Sequence, residues 1–497
     1  MKNLDPLKGI IYKLNYRPTT TQIQGLVIDA KTGQPLTIPV QVTILGKDAS
    51  RVVNFNGKAQ TTYSSPKGDL FIGLKGDVPT RQAAAELRVV VDAAGYIPSA
   101  VDLKLTRDLN YPFIIRLVKE TDPPQGVIVK QDQLTLATNG TLPAAKEIVL
   151  AATSLTAPAT IQFASGTVMK DEQGNTVSGT VAATIAVYSR LAKSIPVGLT
   201  TKVIENGNAK DVTLHLANYI SVNLATKDGK SVTSFTKPVE IKMGIAAGFP
   251  NLSTGQPVKA GDQLTVYARN EKTGSWESVQ KVKVEAKGSD FVVSFPVSHF
   301  TDYAVGGSLA TQPAFFTFVG LPSTFSVLYE LNVFVPTVSR PDDNTIVAAA
   351  GTAGNNNIGT GAPVGVPFTL NIYDALGNLL SQTSGQNLSG EHLVTVPHPS
   401  GTIDVDFTIR ATCENGKNIE VYPTTLVRYG KPGADLATFA GVTLENGQGK
   451  LVGLKPNTTY EARVDYEGAW SAIFTTGTTS ESRSLTYVLK SHTEACK

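Results

Sequence analysis

Apolar and polar residues alternate with a period of two through much of this 497-residue chain, and nothing else in the sequence limits its fold as much. Successive side chains of a strand point to opposite faces, so such runs build half-buried strands and cannot wrap a helix around a core. Ile23, Gly25 and Val27 alternate in this way, as do Val40, Val42 and Ile44, then Leu87, Val89 and Val91, then Phe113, Ile115 and Leu117. Phe325, Val327, Tyr329, Leu331, Val333 and Val335 repeat the pattern around Ser326, Glu330 and Asn332. Ile403, Val405, Phe407, Ile409, Ala411 and Cys413 form an inward series against outward Asp404, Asp406, Thr408 and Arg410. Only Arg81 to Leu87, with Ala83, Ala84 and Ala85, reads as a turn or two of helix. With about one hundred residues per β-sandwich, the chain is expected to be all-β and to hold four tandem sandwiches.

Turn and hinge chemistry places the boundaries. A polar leader, residues 1–21, precedes a first module at 22–119. Asp122-Pro123-Pro124 stiffens the connector to a second module at 126–307, so the first two modules are expected to be separable. A third module is expected at 313–400. Its Gly/Asn/Ala-rich stretch, Asn344 to Gly365, has no face to bury and is expected to be a mobile loop. The fourth module spans 401–497.

Three of these modules resemble known families. The run GLVIDAKTGQPL from Gly25 to Leu36, followed by Pro66 to Phe71 and Ala94 to Pro98, resembles the carboxypeptidase regulatory-like, transthyretin-type sandwich. Thr167 to Val177, Pro238 to Lys242, Gly261 to Tyr267, Thr273 to Trp276 and Ser298 to Val305 come in an order similar to ZU5-type and GAIN-type β modules. Leu454 to Val464 and Ile473 to Gly477 resemble the later strands of a fibronectin type III domain, although the strand-B tryptophan of that family is missing. That last likeness implies that Tyr460 is a corner tyrosine whose hydroxyl bonds to nearby backbone. Together the likenesses imply immunoglobulin-like and transthyretin-like architecture of the kind found in bacterial, Bacteroidetes-type, cell-surface proteins, with no peptidase chemistry. No H-x-x-E metal motif surrounds His215, His299, His392, His398 or His492.

Several function classes lose their signals. Forty-four basic against 41 acidic side chains leave +3 and no basic block, which argues against nucleic acid as a partner. The most apolar stretch, Ala314 to Val338, is broken by Pro322, Glu330 and Pro336 and cannot be a membrane helix. No G-x-S-x-G elbow and no phosphate-binding glycine loop occurs, so neither hydrolase nor nucleotide chemistry is expected. His392 and His398 flank one strand, yet both sit beside turns, and no metal or other cofactor is expected.

Four features remain as candidates for function. Trp276 and Trp470 each enter a strand after a hairpin, where an exposed indole could stack on a sugar ring. Cys413 is either a buried thiol or half of a disulfide with Cys496, which an oxidising compartment would permit. The step His299-Phe300-Thr301 spells the His-hydrophobic-Thr sequence at which ZU5-type and GAIN-type modules cleave themselves. That resemblance implies Thr301 Oγ1 as nucleophile and His299 as base; the same residues serve equally as a closing strand whose Phe300 packs the core. Long strand edges left open would mark an assembly component.

The sequence therefore points to a non-enzymatic structural or binding protein of the cell surface or periplasm, with a surface protein or a glycan as partner. The polar leader resembles the spacer behind the lipid anchor of an outer-membrane lipoprotein, with Met1 in the place of the anchored cysteine.

Overall fold

A computed structural model describes residues 11–489 except 18, 55–56, 81, 109–112, 191, 199, 247, 289, 323–324, 334–344, 353, 417 and 465–469. Strands hold 60% of the residues and helix 1%, as the alternation requires. The only helical pieces among the described residues are the 3₁₀ turns Ala49–Arg51 and Leu436–Thr438. The alanines expected to start a helix instead lead into the strand Ala85–Asp92, whose Leu87, Val89 and Val91 belong to the core. Burial of a period-two face overrides the local preference of three alanines.

In the first module, Thr21–Asp29 pairs antiparallel with Asp69–Leu74 and parallel with Phe113–Lys119. This sheet faces a second one made of Val40–Leu45, Thr62–Ser65, Ala85–Asp92 and Ser99–Leu105. The second module sets a large sheet, including Val127–Leu136, Gly179–Tyr188 and Asn208–Thr226, over Lys146–Leu150, Ala159–Phe163, Val239–Ile245 and Asp290–Val297. Phe163, Phe249, Phe295 and Phe300 fill the space between. One 18-residue strand, Asp302–Val319, pairs with the second module through its first half and with Gly354–Pro363 and Gly390–Thr395 through its second. The second and third modules are therefore joined by continuous sheet.

The stretch expected to be a loop, Asn344 to Gly365, is mostly strand. Thr345–Thr352 pairs with Ser326–Val333, and Gly354–Pro363 with the long strand; Asn344 itself lies outside the described residues. The ladder is made by backbone groups, which small residues supply as well as large ones.

Hairpin turns follow their side chains closely. In DAKTG from Asp29, NLSTG from Asn251 and NEKTG from Asn270, the first side chain accepts backbone N–H groups two or three residues on. The closing glycines Gly33, Gly255 and Gly274 take positive φ, where a side chain would be strained. In the fourth module Tyr460 Oη accepts the N–H of Lys455 at 2.9 Å, and Phe407 and Phe474 pack against each other across the core.

The sandwiches do not form an open string. Thr21–Asp29 is buried on both faces: Ile23 and Val27 face its own core, while Leu26 and Ile28 pack against Leu436 and Phe439 of the fourth module. Arg116 meets Asp435 at 2.7 Å, and Gln24 both donates to Thr425 Oγ1 and accepts from Leu426 N at 3.0 and 2.7 Å. Tyr12–Tyr16 adds a parallel strand to Ile419–Pro423. The Asp122-Pro-Pro connector likewise does not hold the first two modules apart. Ile97 and Val118 are buried with Val127, Tyr188 and Trp276 in one apolar cluster. A second apolar face on each sheet, invisible to a period-two reading of one face, makes these contacts.

Candidate functional site at the seam of the first two modules

The seam is built on two arginines. Arg88 lies in Ala85–Asp92, and Arg269 ends the strand Gln263–Arg269, where Leu264, Val266 and Ala268 face the second module's core. Tyr267 and Arg269 therefore point to the opposite face, which the first module covers. Arg88 and Arg269 are only 5% and 6% exposed. Charges so deeply removed from water persist only when paired. Asp102 of the first module bonds Arg88 Nη1 at 3.0 Å and reaches Arg269 Nη2 at 3.9 Å. Asp302 approaches Arg269 Nη1 at 3.4 Å, and the carbonyl of Pro196 accepts from the same nitrogen at 3.0 Å. Burial, followed by the nearby charge of Arg269, lowers the pKa of Arg88. Gly274 lets the turn approach, since a Cβ there would lie 2.3 Å from Arg88 Nη1.

Trp276 belongs to this cluster and is not an exposed platform. It is 1% exposed, with the guanidinium of Arg269 5.5 Å from its ring and Tyr219 edge-on at 5.9 Å. Tyr188 packs edge-on to Tyr219 in turn, and burial raises the pKa of both phenols well above its ordinary value. An indole that stacks on an arginine inside a seam has no face left for a sugar; the hairpin that seemed to expose it is covered by the first module. Trp470 opens the strand Trp470–Thr475, and its side chain lies outside the described residues.

His299, Phe300 and Thr301 border the same seam. Phe300 packs edge-on against Phe163 and Phe235, as a closing strand would require. Thr301 is buried, and its Oγ1 donates to the carbonyl of Arg269 at 2.8 Å. The carbonyl of His299 accepts the hydroxyl of Tyr303 at 2.7 Å, while the residue itself is exposed. The proton that an attacking hydroxyl must shed is thus aimed at Arg269 and not at an imidazole base. The purified chain is expected to run as one band near 52.6 kDa on a denaturing gel, unchanged by Thr301→Ala. Two fragments that disappear in that variant would show instead that the step is cleaved.

Cys413 is buried and disulfide-bonded; Cys496 lies outside the described residues. His392 stacks on Phe316 at 5.0 Å and shares a hydrogen bond of 2.8 Å with the carbonyl of Leu388. His398 does the same with the carbonyl of Pro399 at 3.0 Å. No group of three His, Cys, Asp or Glu side chains that could hold a metal occurs among the described residues. No described helix is long and apolar enough to cross a membrane. Sequence reading missed Arg88, Asp102, Arg269 and Asp302. The available signal was Arg269 two residues after Tyr267, on the face of the strand away from Leu264, Val266 and Ala268.

What the arrangement does chemically is clamp. Guanidinium and carboxylate groups alternate across the joint, from Arg88 through Asp102 and Arg269 to Asp302.

No family model matches the sequence, and no curated protein matches it. Among solved structures, it is similar over 36% of its length to 98% of the shaft pilin SpaA from Lactobacillus rhamnosus GG, at 13% identity and a TM-score of 0.16. A minor pilin of Streptococcus agalactiae is matched over 95% of its length by 36% of this chain, at 11% identity and a TM-score of 0.15. The Bacillus anthracis TIE protein is matched over 58% of its length by 74% of this chain, at 11% identity and a TM-score of 0.14. Scores this low carry no weight for function.

Proposed function

We propose that this chain is a non-enzymatic structural and docking protein of the bacterial cell surface, in which four β-sandwich modules are locked into one scaffold. The observation that carries this reading is the double closure of the array. Two buried arginines paired with Asp102 and a shared apolar cluster fix the first module to the second, and the Arg116–Asp435 pair with Leu26 and Ile28 against Leu436 and Phe439 fixes it to the fourth. Spacers need no such contacts, whereas a scaffold that presents surfaces at set positions does. The resemblances to carboxypeptidase regulatory-like, ZU5-type and fibronectin type III modules favour the same role, and the disulfide at Cys413 favours an oxidising compartment. Its partner in this reading is a surface protein. A glycan-binding role has less support, since Trp276 is buried.

Protease added to intact cells that make the protein tests the location. The chain is expected to be degraded under those conditions, and survival until the envelope is opened would refute a surface role.

A further inference from the structure

The tripeptide Glu-Asn-Gly occurs three times, starting at Glu205, Glu414 and Glu445, and each copy turns the chain from one strand into the next. An asparagine followed by glycine carries a latent reaction. The glycine amide nitrogen can close on the side-chain carbonyl carbon, and no Cβ on the glycine obstructs the approach. That nitrogen must be free to do so, and a hydrogen bond from its N–H to a fixed acceptor holds it back. The three copies are alike in sequence, so the surroundings of the glycine nitrogen set them apart.

Gly447 N donates to the carbonyl of Pro423 at 2.8 Å, and Gly416 N to that of Cys413 at 3.1 Å. The glycines of the two other Asn-Gly steps are held in the same way, Gly57 N by Asn54 at 2.9 Å and Gly140 N by Ala137 at 2.8 Å. Of the five, only Gly207 N has no acceptor among the described residues. The comparison with Asn446 is the closest. Asn206 and Gly207 have φ of 50° and 78°, Asn446 and Gly447 of 50° and 71°, so both steps are left-handed at both residues. Gly447 is buried, and a Cβ there would lie 2.3 Å from the carbonyl oxygen of Ile409. Gly207 is exposed and meets nothing within 4 Å. The side-chain amide of Asn206 likewise has no partner among the described residues.

We propose that Asn206 is a site of spontaneous deamidation. Gly207 N gives its proton to solvent and attacks Asn206 Cγ; the new C–N bond forms, the Cγ–Nδ2 bond breaks, and the side-chain nitrogen leaves as ammonia with a proton from water. Water then opens the cyclic imide. Attack at Cγ yields an ordinary aspartate, and attack at the main-chain carbonyl yields isoaspartate, in which the chain runs through the side chain. Either product adds a carboxylate beside Glu205, whose partner is Lys210 at 3.3 Å. Isoaspartate also lengthens the main chain between Glu205 and Asn208, which pair directly across the turn. The hairpin belongs to the seam: Val203 shares an apolar cluster with Ile97 and Val118 of the first module, and Lys202 lies 3.5 Å from Glu86.

The test follows the full chain, held folded in mildly alkaline buffer, by digestion and tandem mass spectrometry over time. The peptide with Asn206 is expected to gain the mass difference between an NH2 and an OH group about tenfold or more faster than the peptides with Asn415 and Asn446, a barrier difference of about 1.4 kcal/mol. In concentrated urea the three rates are expected to converge, because the acceptor carbonyls of Cys413 and Pro423 are no longer in place. Equal rates in the folded chain, earlier loss at Asn415 or Asn446, an Asn206 that keeps its amide as long as the chain is folded, or a lead that persists unchanged in urea would each overturn the proposal.

Discussion

Replacing Arg269 by methionine is expected to destabilise the seam between the first two modules by about 1–3 kcal/mol. Methionine fills much of the volume but supplies no donor. The variant leaves Asp302 and the carbonyl of Pro196 without the guanidinium that bonds them, and it frees one side of Asp102. It also removes the cation from the face of Trp276. The loss falls mainly on the partly buried Asp302 and the carbonyl of Pro196, because Asp102 is half exposed to water and keeps Arg88 as its partner. Arg269→Lys is expected to recover only part of the loss, since a single ammonium cannot reach Asp302, Asp102 and Pro196 from one planar fork. Urea unfolding followed by tryptophan emission reads the change, with Trp276 inside the seam. A midpoint within experimental error of the parent would show that the cluster does not hold the modules together. A double cycle with Asp302→Asn separates the pair from its surroundings.

Stability is expected to fall as pH drops from about 6.5 to about 3, with His215 as one identifiable cause. This histidine lies in Asn208–Thr226, stacked on Phe249 with ring centres 4.5 Å apart and an 11° tilt. Its Nε2 is buried without a hydrogen-bond partner. Burial first, and the charge of Arg190 second, lower its pKa to about 3 from an ordinary 6.5. The sign follows from proton uptake. Above pH 6.5 the ring is neutral in both the folded and the unfolded chain, and its contribution is complete. Between 6.5 and 3 the unfolded chain binds a proton that the folded one refuses, so acid favours unfolding by about 1.4 kcal/mol per pH unit. Near pH 4.5 the difference should approach about 3 kcal/mol. His215→Phe keeps the ring stack and removes the titration, so its stability should depend less steeply on pH over this range. Other groups titrate equally in both proteins and cancel in the comparison; parallel curves for parent and variant would rule His215 out as a cause.

Much of the local structure was legible in the residues. The inward series from Ile403 to Cys413 and from Phe325 to Val333 are buried as their alternation requires, because a strand facing one core has a single periodic signal. The Asx-initiated turns were legible too, since a short acceptor side chain followed by a glycine encodes its own geometry. The hydrogen bond to Tyr460 belongs with these, formed within five residues.

The candidate site was much less legible. Trp276 was readable as a strand residue behind a hairpin, but whether that hairpin met solvent or another module depended on where Arg88 and Asp102 lay, some 170 residues earlier in the chain. His299 and Thr301 were readable as a motif, yet the direction of the Thr301 hydroxyl was decided by the carbonyl of Arg269 on a neighbouring strand. Asn344 to Gly365 offered no side-chain pattern at all, and its strands exist because backbone partners on Ser326–Val333 and Asp302–Val319 are in reach.

By itself, then, the sequence determined that the chain is all-β, where most strands and turns fall, and which side chains line each module's own core. Those properties arise from contacts between near neighbours and from one buried face per strand. Only the tertiary structure decided that the modules close on one another. It buried both faces of Thr21–Asp29, buried Trp276, and placed Tyr12–Tyr16 and Glu481–Leu489 in one sheet of the described residues. Such contacts join residues up to about four hundred positions apart, and no local periodicity records which second face will meet which.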